Sequence, residues 1–138
     1  HVLLIGAGKS ATVLMDYLMD EAKETEWTIT VADANKEMIE QKIAGRKEAI
    51  GVALDIHDTT NRQALISSAD LVISMMPPAL HMLIAKDCLE YGKHLLTASY
   101  VDEAIKNEAI KWIYEYNLDD IRATFAVRNY VREIKNGW

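Results

Sequence analysis

The sequence predicts an α/β fold built on a parallel sheet. Three observations predict it: short apolar runs alternate with segments of helical spacing, a glycine-rich turn follows the first run, and an aspartate closes the second. Strands that alternate with helices are typical of a parallel sheet with right-handed crossovers. For a chain of 138 residues, we therefore expect a Rossmann-like doubly wound parallel sheet with helices on both faces.

The elements follow in order along the chain. β-rich runs predict strands over Val2–Ile5, Thr28–Ala32, Ala49–Leu54, Leu71–Ser74 and His94–Thr97. Helical spacing predicts helices over Ser10–Ala22, Asn35–Ala44, Thr59–Ser68, Ala79–Tyr91 and Val101–Tyr116. The remaining residues are expected to form a strand over Ile121–Val127 and a helical turn over Tyr130–Ile134.

Side-chain spacing and end signals refine these helices. In the first helix, Val13, Leu14, Tyr17 and Leu18 share one side. Asp58 or Thr59 is expected to cap the third helix, and Gly92 to end the fourth. We expect residues 1–106 to form the dinucleotide-binding domain. Residues 107–138 are expected to be a helical or irregular tail, a remnant of, or a return from, a substrate domain that the chain lacks.

Composition excludes several classes of partner. Half of the residues are apolar and the formal net charge is −6, so a nucleic-acid backbone is not an expected partner. The single cysteine, Cys88, allows no internal disulfide and fits a core position in a protein of a reducing, cytoplasmic setting. We expect no membrane association, because Pro77-Pro78 interrupt the longest apolar stretch and no signal-peptide pattern is present. A small-molecule substrate and a homodimer are the expected partners.

The glycine loop, Gly6-Ala7-Gly8-Lys9-Ser10-Ala11, carries the strongest functional signal. Gly6 permits a tight turn, Gly8 lacks a side chain where phosphates must approach, and Ala11 lets the helix pack closely on the strand. The helix N-terminus then offers free N–H groups to an anion. A Walker-type phosphate loop is excluded, because Leu3 stands where that motif needs glycine. A purely structural tight turn is the alternative interpretation.

Asp33-Ala34, at the end of the second strand, is expected to bind the adenosine ribose. A carboxylate there accepts from both ribose hydroxyls and repels a 2′-phosphate, so we expect NAD rather than NADP. Lys36 nearby weakens that argument, since a cation partly neutralises an added phosphate. Asp33 as a helix cap is the structural alternative.

Three further strand ends supply candidate residues. Asp55 and Ile56 are predicted to flank the adenine, although Asp55 also fits a plain loop position and His57 a solvated one. Ser74, Met75 and Met76 are predicted to line the nicotinamide side, with core packing as the alternative for the two methionines. We expect Thr97, Ala98, Ser99 and Tyr100 to face the same cleft, where their hydroxyls suit a substrate carboxylate or amine or cap the next helix.

The sequence resembles the saccharopine dehydrogenase (glutamate-forming) family over about residues 1–106. The likeness lies in Pro77-Pro78-Ala79-Leu80-His81, Gly92-Lys93-His94 and Thr97-Ala98-Ser99-Tyr100-Val101, of which the Thr-Ala-Ser-Tyr stretch is the most specific. The resemblance implies NAD(P)-dependent oxidative cleavage of a secondary amine, with hydride transfer from the C–N carbon and hydrolysis of the imine to an aldehyde and an amino acid. It implies no metal.

By the family's pattern, the cofactor contacts are the glycine loop, Asp33, Asp55-Ile56, Ser74-Met75 and Thr97–Tyr100. Pro77, Pro78, Ser99 and Tyr100 would also face substrate. His81 matches a histidine of the family and is a candidate for proton transfer or for anchoring the helix start. The resemblance identifies no other catalytic group.

Two departures from the family pattern matter. Relatives that use NADP place a small residue and then Arg at the end of the second strand, whereas this chain has Ala32-Asp33. The family's Gly-Leu-Asp-Pro-Gly turn and large substrate domain do not follow, so we expect a cofactor domain cut from a longer protein. Two alternatives remain: an NAD- or ATP-sensing regulatory Rossmann domain of a transport system, and an oligomerising scaffold without a ligand.

Overall fold

The five strands form one parallel sheet in the order 3-2-1-4-5. The computed structural model describes residues 1–98, and all structural statements below concern that part of the chain. The strands are β1 (Val2–Ile5), β2 (Ile29–Asp33), β3 (Ala49–Ala53), β4 (Leu71–Ser74) and β5 (His94–Thr97). Ile5 of the central strand pairs with Ala32 on one side and Ser74 on the other. The strand order confirms the predicted Rossmann-like fold.

Four helices connect the strands. They are α1 (Thr12–Glu24), α2 (Lys36–Ile43), α3 (Thr59–Ser68) and α4 (Pro78–Glu90), and a 3-10 turn over Lys9–Ala11 precedes α1. No helix within residues 1–98 has the length and apolar character needed to cross a membrane. The predicted elements beyond residue 98 lie outside the described residues.

Alternation along the strands creates two apolar cores. On one face, Leu4 and Val31 pack in a cluster with residues of α1 and α2, among them Met15 and Ile39. On the other face, Leu3 and Ile5 pack with Ile66 of α3, Ile84 of α4 and other buried residues. Successive strand residues point to opposite faces, so a sheet buried on both sides needs continuous apolar strands. The helices therefore cover both faces, as a doubly wound sheet requires.

The predicted apolar side of α1 is confirmed in part, since Leu18 is buried and Leu14 packs against the core. Val13 and Tyr17 are 80% and 58% exposed, while Met15 and Met19 are buried. The buried stripe begins at Ala11, which is fully buried, and continues four residues later at Met15. Because each helical residue advances 100°, this start places Val13 and Tyr17 toward solvent.

Helix ends follow local side-chain chemistry. Asn35 caps α2 by accepting a hydrogen bond from the main-chain N–H of Met38, and Asp58 caps α3 by accepting from that of Asn61. The second cap confirms one of the two predicted candidates. Asp33 was the alternative cap of α2, but it lies two residues too early and instead accepts from the N–H of Asn35. Gly92 follows α4 with φ +61°, a left-handed conformation that ends a helix.

Cys88 takes the buried core position that the sequence predicts. Its side chain belongs to the cluster of α3 and α4. Burial, with the neighbouring charge of Asp87, raises the pKa of the thiol to about 12. The thiol therefore stays protonated at neutral pH, which fits a packing role.

A buried ion pair joins α3 to α4. Arg62 Nε lies 2.5 Å from Asp87 Oδ2, and both side chains are only 6% exposed. The guanidinium also donates to the carbonyl of Ile56 at 2.6 Å, and Gln63 donates to the other oxygen of Asp87 at 3.0 Å. Each buried charge is thus compensated by a partner and by further hydrogen bonds. The pair ties the loop after β3 to two helices.

Replacing Arg62 with methionine should lower the free energy of unfolding by about 3–5 kcal/mol, since Asp87 would keep a buried charge without its cation. The matched control is Arg46→Met, which removes an arginine that pairs with Asp16 and Asp20 at the surface. That change should cost less than about 1 kcal/mol. Urea unfolding followed by circular dichroism measures both variants, and equal losses would contradict the buried pair's role.

Candidate functional site

The carboxyl ends of all five strands meet along one edge of the sheet, here called the carboxyl edge. The pairings Ala53 with Asp33, Ile5 with Ser74, and Ser74 with Thr97 bring these ends into register. The glycine loop follows β1 at the centre of this edge. Ligands of open α/β sheets bind outside the carboxyl ends of the strands, where the strand order reverses. Here the order reverses at β1.

Gly6 turns the chain sharply out of β1. Its φ is +99°, and a Cβ atom there would lie 3.0 Å from the carbonyl carbon of Met75. Its N–H donates to the carbonyl of Ala32 at 2.8 Å. Both the left-handed φ and the close neighbouring chain require glycine at this position. The predicted tight turn is confirmed.

Gly8 is open, in contrast to Gly6. No atom of the described residues lies within 4 Å of a Cβ built on Gly8, and its φ is −59°. Lys9 and Ser10, which follow, are exposed, while Ala7 and Ala11 on either side are fully buried. The loop is therefore fixed at its two alanines and open between them. That opening fits a diphosphate, which needs close access to main-chain N–H groups at a helix start.

Asp33 joins the end of β2 to the glycine loop. One carboxylate oxygen accepts from the N–H of Ala7 at 2.7 Å, and the other accepts from the N–H of Asn35 at 3.0 Å. The side chain is half-buried, and Ala34 beside it is exposed. Asp33 thus lies where the sequence places it, and it additionally orients the loop.

Lys42 of α2 is a residue of this site that the sequence analysis missed. Its ammonium group donates to the carbonyls of Ala7 and Gly8 and to the hydroxyl of Thr12, at 2.5, 2.7 and 2.9 Å. A lysine on an amphipathic helix carries no sequence signal for such contacts. Only the packing of α2 beside α1 brings it to the loop.

The loop after β3 holds the candidates for the adenine side. Asp55 is exposed and accepts from the N–H of His57 at 2.9 Å, and His57 itself is exposed. Ile56 is buried in the core beneath the loop, and its carbonyl accepts from Arg62. The predicted contacts of Asp55 and Ile56 with adenine stay predictions.

Ser74 and His81 form a buried pair behind the loop after β4. The hydroxyl of Ser74 and Nδ1 of His81 are 2.8 Å apart, and Ser74 is fully buried. The Nε2 atom of His81 is also buried and has no hydrogen-bond partner among residues 1–98. Burial lowers the pKa of His81, and the nearby main chain of Ala98 partly opposes this shift. The ring therefore favours its neutral form.

The remaining predicted residues lie on both sides of this pair. Met75 and Met76 are half-buried, each packed against a different core cluster, while Pro77 and Pro78 are exposed at the start of α4. Thr97 and Ala98 are exposed at the end of β5, where the N–H of Ala98 donates to the Ser74 carbonyl at 3.1 Å. Ser99 and Tyr100 lie outside the described residues. Within residues 1–98, no three His, Cys, Asp or Glu residues are placed to hold a metal ion.

A parallel sheet in the order 3-2-1-4-5, a glycine loop after its first strand and an acid after its second define a dinucleotide-binding domain of the Rossmann class. The chain belongs to the saccharopine dehydrogenase NADP binding domain family, whose model matches residues 2–136. The resemblance found in the sequence is confirmed.

Individual relatives agree with this family. Saccharopine dehydrogenase [NADP(+), L-glutamate-forming] of Schizosaccharomyces pombe is 34% identical over 101 residues, which cover 73% of this chain and 22% of the relative. The mitochondrial alpha-aminoadipic semialdehyde synthase of Bos taurus is 35% identical over 107 residues, covering 76% of this chain and 11% of the relative. This chain therefore spans less than a quarter of each.

A solved structure supports the fold. The apo histidine-tagged saccharopine dehydrogenase (L-Glu forming) from Saccharomyces cerevisiae superposes with a TM-score of 0.65 and 24% sequence identity. The match covers 77% of this chain and 23% of that one. At this identity, the similarity shows that the two chains share a fold. Membership in the family rests on the match to the family model.

Protonation of His81 should destabilise the fold. Because the folded-state pKa lies below the usual 6.5, the unfolded state binds a proton more readily, and stability falls as pH drops below about 6.5. We expect the unfolding free energy of the wild type to decrease from about pH 8 to about pH 5 more steeply than that of His81→Gln.

Chemical unfolding at intermediate pH values measures both slopes. The other histidines are present in both proteins, so their contributions to the pH dependence of the unfolding free energy cancel in the comparison. Parallel slopes would contradict a buried, neutral His81.

Proposed function

We propose that this chain is the NAD-preferring cofactor-binding domain of an oxidoreductase that acts on the C–N bond of an amino-acid conjugate such as saccharopine, giving an aldehyde and an amino acid. Membership in the saccharopine dehydrogenase NADP binding domain family supports the nicotinamide cofactor and the reaction class. The chain spans only a part of its relatives. The reaction, its substrate and its partners are therefore proposals for the whole protein.

The arrangement of Asp33 is the observation that carries the proposal. A carboxylate offers about four lone pairs. The N–H groups of Ala7 and Asn35 use one on each oxygen, so each oxygen keeps a lone pair for a further donor. Two ribose hydroxyls supply two such donors. The same carboxylate can therefore orient the glycine loop and hold the adenosine ribose.

The preference for NAD over NADP rests on charge. A 2′-phosphate would lie against the Asp33 carboxylate, which would repel it. Lys36, the nearest lysine in sequence, lies 3.6 Å from Glu40, and Lys42 is engaged by the loop. Both of these lysines therefore already have an acceptor. The relatives from yeasts carry NADP(+) in their names. The proposed preference of this chain for NAD therefore differs from the cofactor named for these relatives.

The opening at Gly8 is the proposed diphosphate position. The helix start after Gly8 offers the main-chain N–H groups of Lys9 and Ser10 there, while that of Ala11 donates to the Gly8 carbonyl. The absence of a side chain on Gly8 lets phosphates approach these groups. A bound nicotinamide would accept a hydride from the carbon of the substrate's C–N bond. The chain's own contribution is to bind and orient that cofactor.

His81 is proposed to anchor rather than to transfer protons. Its ring is buried, Nδ1 faces the Ser74 hydroxyl, and Nε2 is shielded from solvent. A general acid or base must reach the reacting group directly or through one water. Anchoring the first turn of α4 to β4 places Pro77 and Pro78 at the carboxyl edge, where we propose that they face substrate together with Ser99 and Tyr100.

The proposed setting of the protein follows from the same chemistry. A small-molecule substrate derived from an amino acid is the proposed partner, and a homodimer the proposed assembly. A reducing, cytoplasmic compartment is proposed from the single buried thiol of Cys88.

Calorimetric titration of the chain with NAD, NADP and ATP tests the proposal. We expect NAD to bind about tenfold or more tightly than NADP, because of the charge of Asp33. Tighter binding of ATP would instead favour a regulatory nucleotide sensor. Binding of none of the three would favour a scaffold without a ligand.

The same calorimetric titration with NAD and NADP is repeated on the variant Asp33→Asn. This variant keeps an acceptor oxygen for the loop and removes the charge, so the preference for NAD should fall by about tenfold. Asp16→Asn is the control, because it removes the same charge from an exposed residue of α1. An unchanged preference in Asp33→Asn would overturn the ribose assignment.

The two loop glycines should separate binding from stability. Gly8→Ala places a methyl group in open space at an allowed φ, so the unfolding free energy should change by less than about 1 kcal/mol. Affinity for NAD should nevertheless fall about tenfold or more, since the methyl group occupies the proposed phosphate position.

Gly6→Ala should behave in the opposite way. The new methyl group would lie 3.0 Å from the Met75 carbonyl carbon at φ +99°, so the unfolding free energy should fall by about 1–3 kcal/mol. Urea unfolding and calorimetry measure the two effects. If Gly8→Ala binds NAD like the wild type, the diphosphate does not lie at Gly8.

A further inference from the structure

Helix α2 holds Lys42 at a fixed distance from the glycine loop. Ile39, three residues before Lys42, and Ile43, directly after it, are buried against the sheet. A Cβ on Gly51 of β3 would lie only 2.8 Å from the Ile39 side chain, so α2 packs closer to the sheet than a larger residue would allow. Packing of these two isoleucines against the sheet therefore fixes the position of the α2 backbone at Lys42.

The ammonium group of Lys42 is saturated by its contacts. It carries three N–H donors, and the structure provides three acceptors: the carbonyls of Ala7 and Gly8 and the hydroxyl of Thr12. Fixing a lysine side chain costs conformational entropy. Charge-assisted hydrogen bonds to main-chain oxygens oppose that cost. The side chain is thus bound to the loop.

These contacts control the polarity of the loop. The peptide N–H of Ala7 donates to Asp33, and its carbonyl accepts from Lys42, so its hydrogen-bonding groups are held at both ends. The Gly8 carbonyl accepts from Lys42 at 2.7 Å and also from the N–H of Ala11 at 3.1 Å. A carbonyl oxygen carries a partial negative charge and would repel a phosphate, whereas main-chain N–H groups attract it.

We propose that Lys42 is a positioning residue for the diphosphate: it holds the Ala7 and Gly8 carbonyls on its own ammonium group and so leaves the N–H side of the glycine loop for the anion. The inference rests on the proposed dinucleotide function and deepens it. Since all three ammonium donors are used within the loop and α1, Lys42 acts through the loop and makes no direct contact with phosphate.

The test compares a ligand that contains a diphosphate with one that lacks it. ADP-ribose and adenosine are titrated by NMR into the wild type, Lys42→Met, Lys42→Gln and Lys42→Arg. Lys47→Met is the matched control, because it removes the same charge from an exposed residue beyond the end of α2. Unfolding free energies are measured for every variant.

For Lys42→Met, we expect affinity for ADP-ribose to fall about tenfold and affinity for adenosine to stay within about twofold. Lys42→Arg keeps the charge and several donors, so it should restore affinity for ADP-ribose to within about threefold. Lys42→Gln, a neutral donor, should fall between them. In the ligand-free protein, the amide nitrogen shifts of Gly8 and Lys9 should change in Lys42→Met, because these amides follow the two released carbonyls.

Three results would overturn the inference. Unchanged binding of ADP-ribose by Lys42→Met would show that the loop holds its orientation without the lysine. An equal loss for adenosine and ADP-ribose, with a lower unfolding free energy, would show a purely structural role. If the wild type binds neither NAD nor ADP-ribose, the proposed function itself fails, and that outcome is distinct from the first two.

Discussion

The close passage of β1 beside the end of β4 is the constraint on which the rest of the site depends. Gly6 leaves the central strand with φ +99°, and the Met75 carbonyl carbon occupies the space that a side chain would need. This turn frees the next five residues to run along the carboxyl edge and begin α1. Without it, the chain would continue as a strand, and no helix start would lie at the point where the strand order reverses.

Polar contacts then fix the conformation of the glycine loop that follows this turn. Asp33, from β2, accepts from the N–H of Ala7, and Lys42, from α2, donates to the carbonyl of the same residue. On the other face of the sheet, Arg62 holds the Ile56 carbonyl and is balanced by Asp87. In both places a charged side chain of a helix stabilises the loop after a strand. The two loops at the carboxyl edge are thus set by the helices on opposite faces of the sheet.

The sequence predicted the fold because strand burial and helix capping are local. All five predicted strands are present, to within a residue or two at their ends, and the caps at Asp58 and Gly92 lie where the sequence indicates. On α1, Leu14 and Leu18 pack in the core as predicted, but Val13 and Tyr17, which share their helical spacing, are exposed. Which of two adjacent stripes faces the sheet depends on how the glycine loop joins the helix, and that junction is a property of tertiary packing.

The same distinction explains which site residues sequence analysis missed. Asp33 is predictable because it is the residue at which the second apolar run of the sequence ends, and that run forms β2. Lys42 is not, since its partners lie 30 to 35 residues away and two of the three are main-chain oxygens. The pairing of Arg62 with Asp87, 25 residues away on another helix, is not predictable either. A main-chain acceptor leaves no trace in the sequence, because every residue has one. Such contacts emerge only when the elements are packed together.

The proposed dual use of Asp33, for the adenosine ribose and for the glycine loop, would link cofactor choice to the shape of that loop. Its carboxylate accepts from the N–H of Ala7, while the Ala7 carbonyl accepts from the ammonium of Lys42, so the acid and the lysine contact the two peptide groups on either side of one residue. A substitution that removes the charge of Asp33 to admit a 2′-phosphate also removes the negatively charged acceptor of the Ala7 N–H. On this proposal, a change of cofactor preference needs a residue at position 33 that still offers an acceptor to the Ala7 N–H, as asparagine does, and a new cation would further favour the phosphate.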